Sequence, residues 1–187
     1  MGPIENDSAI LEATQYWLTR AVIGLNLCPF AKSVQVKQQI RYVITHAASD
    51  QDLLDVLESE LLFLDAADPT VIDTTLLIVP DMLAEFLDFN DFLNRAHRVL
   101  KRTRLVGVLQ IASFHPFYQF SDKEPDDIEN YTNRSPYPVL HLLREDSLDR
   151  VLATFPDADS IYERNQETMR RLGHEGWRTW MGGTQQS

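Results

Sequence analysis

Residues 105–144 read LVGVLQIASFHPFYQFSDKEPDDIENYTNRSPYPVLHLLR, and how this stretch divides decides the fold. Leu105 to Ala112 is a short apolar run suited to a strand. Ser113 to Pro138 follows neither the helical period nor a sustained alternation of two. Connections of that length are usually functional or disordered. Disordered segments are poor in aromatics, and this one holds Phe114, Phe117, Tyr118, Phe120, Tyr131 and Tyr137. It reads as a long ordered functional loop over 113–138, pinned by rings and prolines. Beyond it, VLHLLR (139–144) fits two patterns. As a strand it puts Val139, His141 and Leu143 on one face. As a helix it aligns Leu140, Leu143 and Leu148, with Ser135-Pro136 as its start. The strand is preferred, because VITHAASDQDLLDVL (43–57) has the same order of apolar run, polar cap and helix.

Working outward, residues 40–46 and 74–79 read as strands, and two helices separate these runs from each other and from 105–112. Ser49-Asp50-Gln51-Asp52 resembles a capping start, with Leu53, Leu54, Leu57, Leu61 and Leu64 behind it and Asp68-Pro69 as the stop. Pro80-Asp81 opens the next helix, whose apolar side includes Leu83, Phe86, Leu93 and Leu100. Its exit carries Arg95, Arg98, Lys101, Arg102 and Arg104. Cations favour a helix C-terminus, so this cluster has a sufficient structural explanation beside a phosphate-site reading.

Near the N-terminus, Ile10, Thr14, Trp17, Leu18, Ala21 and Val22 fall at helical spacing over 8–23, with Asp7 or Ser8 as cap and Gly24 as stop. In GLNLCPFAK (24–32), Pro29 suits the first position of a short helix and makes Cys28 its N-cap. Two readings of Cys28 stand side by side. A thiol at a helix N-terminus is a nucleophile with a favoured thiolate; a cysteine between Leu27 and Phe30 is a small buried hydrophobe. Toward the C-terminus, Ser147 could cap a helix through Ala153. Pro156-Asp157 starts a last helix with Ile161, Asn165, Met169 and Leu172 as its stripe and Gly173 as its stop. Trp177 and Trp180 are set to dock on the body, and residues 1–7 and 182–187 look loose.

The order β-α-β-α-β predicts parallel strands with crossover helices. The expected fold is therefore α/β, a single domain over 1–187 with a mainly parallel sheet of about four strands flanked by helices. Hydrophobic content of 44% and charged content of 24% are ordinary for a globular chain. A net charge of −11 argues against nucleic acid and against anionic membrane surfaces as partners. It leaves room for a small anionic metabolite held locally. No apolar run is long enough to span a membrane, and MGPIENDSAI lacks the features of a signal peptide. With Cys28 as the only cysteine, an internal disulfide is impossible and a reducing cytoplasm is the expected compartment. Oligomeric state is left open.

Parallel strands would share one C-terminal edge, where open α/β sheets bind ligands. His46 ends the first strand, His115 follows the third, and the long loop leaves from that edge. The expectation is that His46, His115, Arg134 and His141 gather around one hollow. Arg134 would pair with an anionic group. His115 and His141 would supply proton transfer, or metal ligation with Asp127. Tyr118 and the other loop aromatics would exclude water, and Asn130, Asn133, Ser135 and Asn165 would line the ligand. Cys28 is a candidate nucleophile if a histidine is near. Each residue has a plainer role: His115 bonding the loop backbone, His141 in the core, the asparagines and Ser135 forming turns and caps, Arg134 tying the loop, Asn165 bracing it. No compact metal motif is present, so no metal set is assigned and the cofactor stays unknown.

GLNLCPFAK (24–32), HPFYQF (115–120), NYTNRSPYPVLHLLRE (130–145) and YERN (162–165) followed by LG (172–173) together resemble the bacterial domain-of-unknown-function family 1415. The resemblance covers nearly the whole chain and its combination of blocks is specific. It implies a single-domain cytoplasmic bacterial protein. It implies no reaction, substrate or cofactor, and assigns no catalytic role. The functional expectation therefore comes from the residues: an enzyme acting on a small anionic metabolite by histidine-based acid–base or metal-assisted chemistry. The alternative is a non-catalytic ligand-binding or protein-interaction module, with the loop aromatics and the tryptophan tail as its surface.

Overall fold

All four apolar runs become strands of one sheet in the computed structural model, which describes residues 6–155 and 160–182. The strands are β1 (Ile40–Ile44), β2 (Thr74–Ile78), β3 (Leu109–Phe114) and β4 (Val139–Arg144), in the order β1-β2-β4-β3. β1 and β2 are parallel, and β4 is antiparallel to both β2 and β3. The first three strands thus run in one direction, as crossover units should. The sheet itself is mixed and mostly antiparallel, which corrects the mainly parallel sheet expected above. The long loop after β3 turns the chain back, and β4 enters between β2 and β3. VLHLLR is apolar toward both layers, and the central slot is where both faces are covered. β2 is buried throughout, while the edge strands carry Arg41 and the exposed Gln110.

Helices cover both faces. On one side lie α3 (Asp50–Ala66) and α4 (Phe86–Arg102), with Leu53, Leu57, Leu61 and Phe89 packed on Leu77 and Leu140. On the other lie α1 (Asp7–Trp17), its continuation as a π-helical segment over Leu18–Ile23, and α2 (Pro29–Val36). Here Ile10, Trp17, Ala21 and Ala31 meet Leu76 and Val139, and Phe30 and Val34 meet Leu143. Period-two alternation of Leu76, Leu77 and Ile78 sends successive side chains into opposite layers. α5 (Glu145–Leu152) packs beside α2, and α6 (Ile161–Met181) packs on the loop and the π-helical segment.

Several boundaries move for identifiable reasons. Asn6, not Asp7 or Ser8, caps α1 by accepting the Ala9 amide at 2.8 Å. Ser49 caps α3 as expected. α4 begins at Phe86 because Leu83, at φ 59°, bends the chain out of helix after Pro80. β3 starts four residues late, since Gly107 adopts φ 83° and turns the chain after α4. α5 starts directly from β4, and Ser147 is buried inside it rather than at its cap. Gly173, at φ 64° and ψ 175°, breaks α6, but the helix resumes as far as Met181. The expected Pro156-Asp157 helix start lies outside the described residues, and so do most residues of the ends expected to be loose at 1–7 and 182–187; of those ends, Asn6 and Asp7 instead cap and open α1, and Gly182 caps α6. Trp180 does dock: its indole donates to the Arg20 carbonyl at 2.7 Å, with the Arg20 guanidinium 4.5 Å from the ring. No helix among the described residues is long and apolar enough to cross a membrane.

Candidate functional site

The long loop is ordered by its own polar groups. Asn130 is fully buried; its carbonyl accepts the Phe120 amide at 3.0 Å and its NH2 donates to the Glu124 carbonyl at 2.7 Å. The segment Ile128–Asn133 forms a 3-10 helix around it. Asn133 donates to the Ser113 carbonyl and Ser135 to the Tyr137 carbonyl. Arg134 donates to the carbonyls of Tyr118 at 3.3 Å and Pro125 at 2.6 Å, and its guanidinium lies 4.3 Å from the Tyr131 ring. Tyr118 sits between Phe86 and Phe120, and burial raises its pKa. Glu129 is buried against Arg170 and Lys123; burial opposes its charge, but the bonds to those two cations win and hold its carboxyl below the ordinary value. These contacts make the loop a brace joining the sheet to α4 and α6.

Among the described residues, the four members of the expected hollow are engaged with different partners. His115 is fully buried. Its Nε2 lies 2.9 Å from the Leu83 carbonyl and must donate, and its Nδ1 accepts the Phe117 amide at 3.0 Å. Both ring nitrogens are spent on backbone, and burial lowers the pKa. His46 lies between the carboxylates of Asp81 and Asp7, the latter at 2.8 Å, and these bonds raise its pKa. Arg134 lines a separate groove of about 480 Å³ with Leu87, Phe117 and the carboxylates of Glu85 and Asp88, which oppose an anion. Asn165 donates to the Leu27 carbonyl at 2.8 Å, acting as a brace to the α2 approach. Among the described residues no group of three or more His, Cys, Asp and Glu is placed to hold a metal ion, and Asp127 instead accepts the Glu129 amide.

His141 and Cys28 do come together. Both line an enclosed, apolar chamber of about 30 Å³ between the sheet and α2, walled by Trp17, Leu76 and Phe114. The Thr74 hydroxyl donates to the Leu142 carbonyl at 2.6 Å, so His141 Nε2, 2.8 Å away, is the donor to Thr74. Burial pushes His141 down to about 4, leaving it neutral. Cys28 is the N-cap of α2, as its sequence suggests. Burial nevertheless raises its thiol pKa, against the pull of the Ala31 and Phe30 amides. A protonated thiol sharing a chamber with a weakly basic imidazole is poorly prepared for nucleophilic attack.

A larger open groove lies on the far side of α2. It measures about 740 Å³ and runs between α2 and α5. Lys32, Lys37 and Arg150 line it, with Ser33, Ser147 and Asp73. Among the described residues no carboxylate pairs with any of these three cations. Arg150 donates to Ser147 Oγ at 2.8 Å, and Ser147 donates to Asp73 Oδ1 at 2.6 Å. Asp73, the one carboxylate of the lining among the described residues, also faces Arg144 at 3.6 Å. Among the described residues the groove's lining therefore carries more positive than negative charge, inside a chain of net charge −11.

Sequence reasoning missed this groove, although a signal was present. Residues 13–49 contain no Asp or Glu in a chain that has 28 of them. That stretch holds Arg20, Lys32, Lys37 and Arg41. Arg41 pairs with Glu60 and Arg20 is taken by Trp180. Lys32 and Lys37 are left over, and both face the groove. Neither the curated proteins nor the solved structures include a match to this chain. The chain does belong to the family described as Protein of unknown function (DUF1415), whose model matches residues 9–179.

Proposed function

We propose that this member of the family is a binding module for a small anionic metabolite, held in the groove between α2 and α5. The observation that carries the reading is the set of Lys32, Lys37 and Arg150, which line one groove and lack carboxylate partners among the described residues. Cations normally find carboxylates on an acidic surface, and three that do not are poised for an anion. Ser33 adds a hydroxyl that can donate or accept. The reading is non-catalytic because the three histidines expected at the site are committed to other work: His115 to backbone, His46 to carboxylates, His141 to Thr74.

Calorimetric titration with inorganic phosphate tests it. Saturable binding that weakens with added salt, and that is largely lost in a Lys37→Gln/Arg150→Gln variant, is the expected outcome. Both side chains are exposed, so the variant should fold. Absence of saturable binding, or loss on Arg134→Gln with no effect of the double variant, would overturn the assignment.

A further inference from the structure

We infer that the ligand of this groove is a phosphomonoester carrying an apolar, ring-sized group. The inference rests on the anion-binding reading and narrows it. Charge supplies the first argument. Lys32, Lys37 and Arg150 present three positive charges, and Asp73 is already occupied by Ser147 and Arg144. A monocarboxylate would balance only one of the three. A phosphomonoester brings about −1.5 to −2 at neutral pH and three acceptor oxygens, and so can engage several cations at once.

Shape and lining supply the second argument. A groove of about 740 Å³ is far larger than a phosphate group and falls within the roughly 300–1,000 Å³ usual for small-molecule sites. The rest of the lining is mostly apolar, Pro29, Phe30, Val36, Val151 and Phe155 beside the polar Asn26 and Thr154. Val36 is 75% exposed although it lies on a helix whose other apolar residues, Phe30, Ala31 and Val34, are buried. An apolar group resting on Val36 and Phe155 would take this surface out of water, while the phosphate sits among the cations.

Charge is also segregated between the two helices. α2 has no acidic residue, and the carboxylates of α5, Glu145, Asp146 and Asp149, do not line the groove. Among the described residues a dianion therefore meets Asp73 as the only carboxylate of the lining, and that one is screened by Arg144.

Four probes separate the contributions: phenyl phosphate, inorganic phosphate, benzoate and phenol, each titrated into the full chain by calorimetry. The expected order places phenyl phosphate roughly tenfold or more tighter than inorganic phosphate and than benzoate, since about 1.4 kcal/mol from either part is a factor of ten. Phenol should not bind measurably. Val36→Ser should weaken phenyl phosphate and leave inorganic phosphate unchanged; Lys37→Gln/Arg150→Gln should weaken both. Benzoate binding as tightly as phenyl phosphate would leave the anion groove standing and overturn the phosphomonoester. Inorganic phosphate matching phenyl phosphate would overturn the apolar part. Failure of all three anions would overturn both the inference and the reading it rests on.

Discussion

At the scale of single residues, His141 and His46 make opposite contributions to pH dependence. His141 is buried neutral, its pKa pushed down to about 4 from an ordinary 6.5. The unfolded chain therefore takes up a proton first as pH falls. Stability drops from 6.5 downward and levels off near 4, by roughly 3 kcal/mol in all. His46 is raised above 6.5 by Asp81 and Asp7. Its contribution is fully present below 6.5 and fades as the pH climbs through its raised value. Urea unfolding of His141→Gln and His46→Gln across pH separates them. The first should flatten the acid-side slope of the wild type. The second should cost stability near neutrality and nothing in alkali. Parallel curves for His141→Gln and the wild type would show that His141 titrates in the fold as it does in the unfolded chain. These histidines also mark where sequence reading ran out. A histidine in an apolar run looks the same whether it bonds a threonine one strand away or a substrate, and Thr74 lies far from His141 in the chain.

At the scale of elements, the loop that stood out in the sequence is a structural joint. Its density of Asn, Arg and aromatic residues was legible, and so was its order. Its purpose was not, because the partners of Asn130 and Arg134 are backbone carbonyls, which no side-chain pattern reveals. Asn130→Ala leaves the Phe120 amide and the Glu124 carbonyl without their partner, and should cost about 1–3 kcal/mol. Hydrogen exchange should locate the loosening in residues 115–135, with α3 and β2 still protected. An unchanged exchange pattern would mean that the aromatic packing of Phe120 and Tyr131 holds the loop without its amide. Glu129→Gln gives up the charge that attracts Arg170 and Lys123, and should free α6 from the loop. Faster exchange of the Arg170 region is the readout.

At the scale of the whole molecule, the sequence conveyed the strands and their direction but not their order. The runs at 40, 74 and 109 do point the same way. The insertion of β4 between two of them depends on which strand best tolerates burial on both faces. TTLLI and VLHLLR are nearly unbroken apolar runs, whereas IRYVI and LQIASF carry Arg41 and Gln110. That contrast ranks centre against edge, and it was available before any coordinates. The α2/α5 groove belongs to this scale too, since it joins a carboxylate-free stretch near the N-terminus to Arg150 from beyond the fourth strand. Spacing along the chain cannot bring those groups together; the docking of α5 beside α2 does.

A nitrogen-15 chemical-shift map of the full chain titrated with phenyl phosphate tests the central claim most directly. The predicted result is saturable movement of the amides of residues 29–37 and 147–155, with the loop residues 115–135 still. Movement confined to 115–135, around Arg134, with α2 and α5 unaffected, would contradict it.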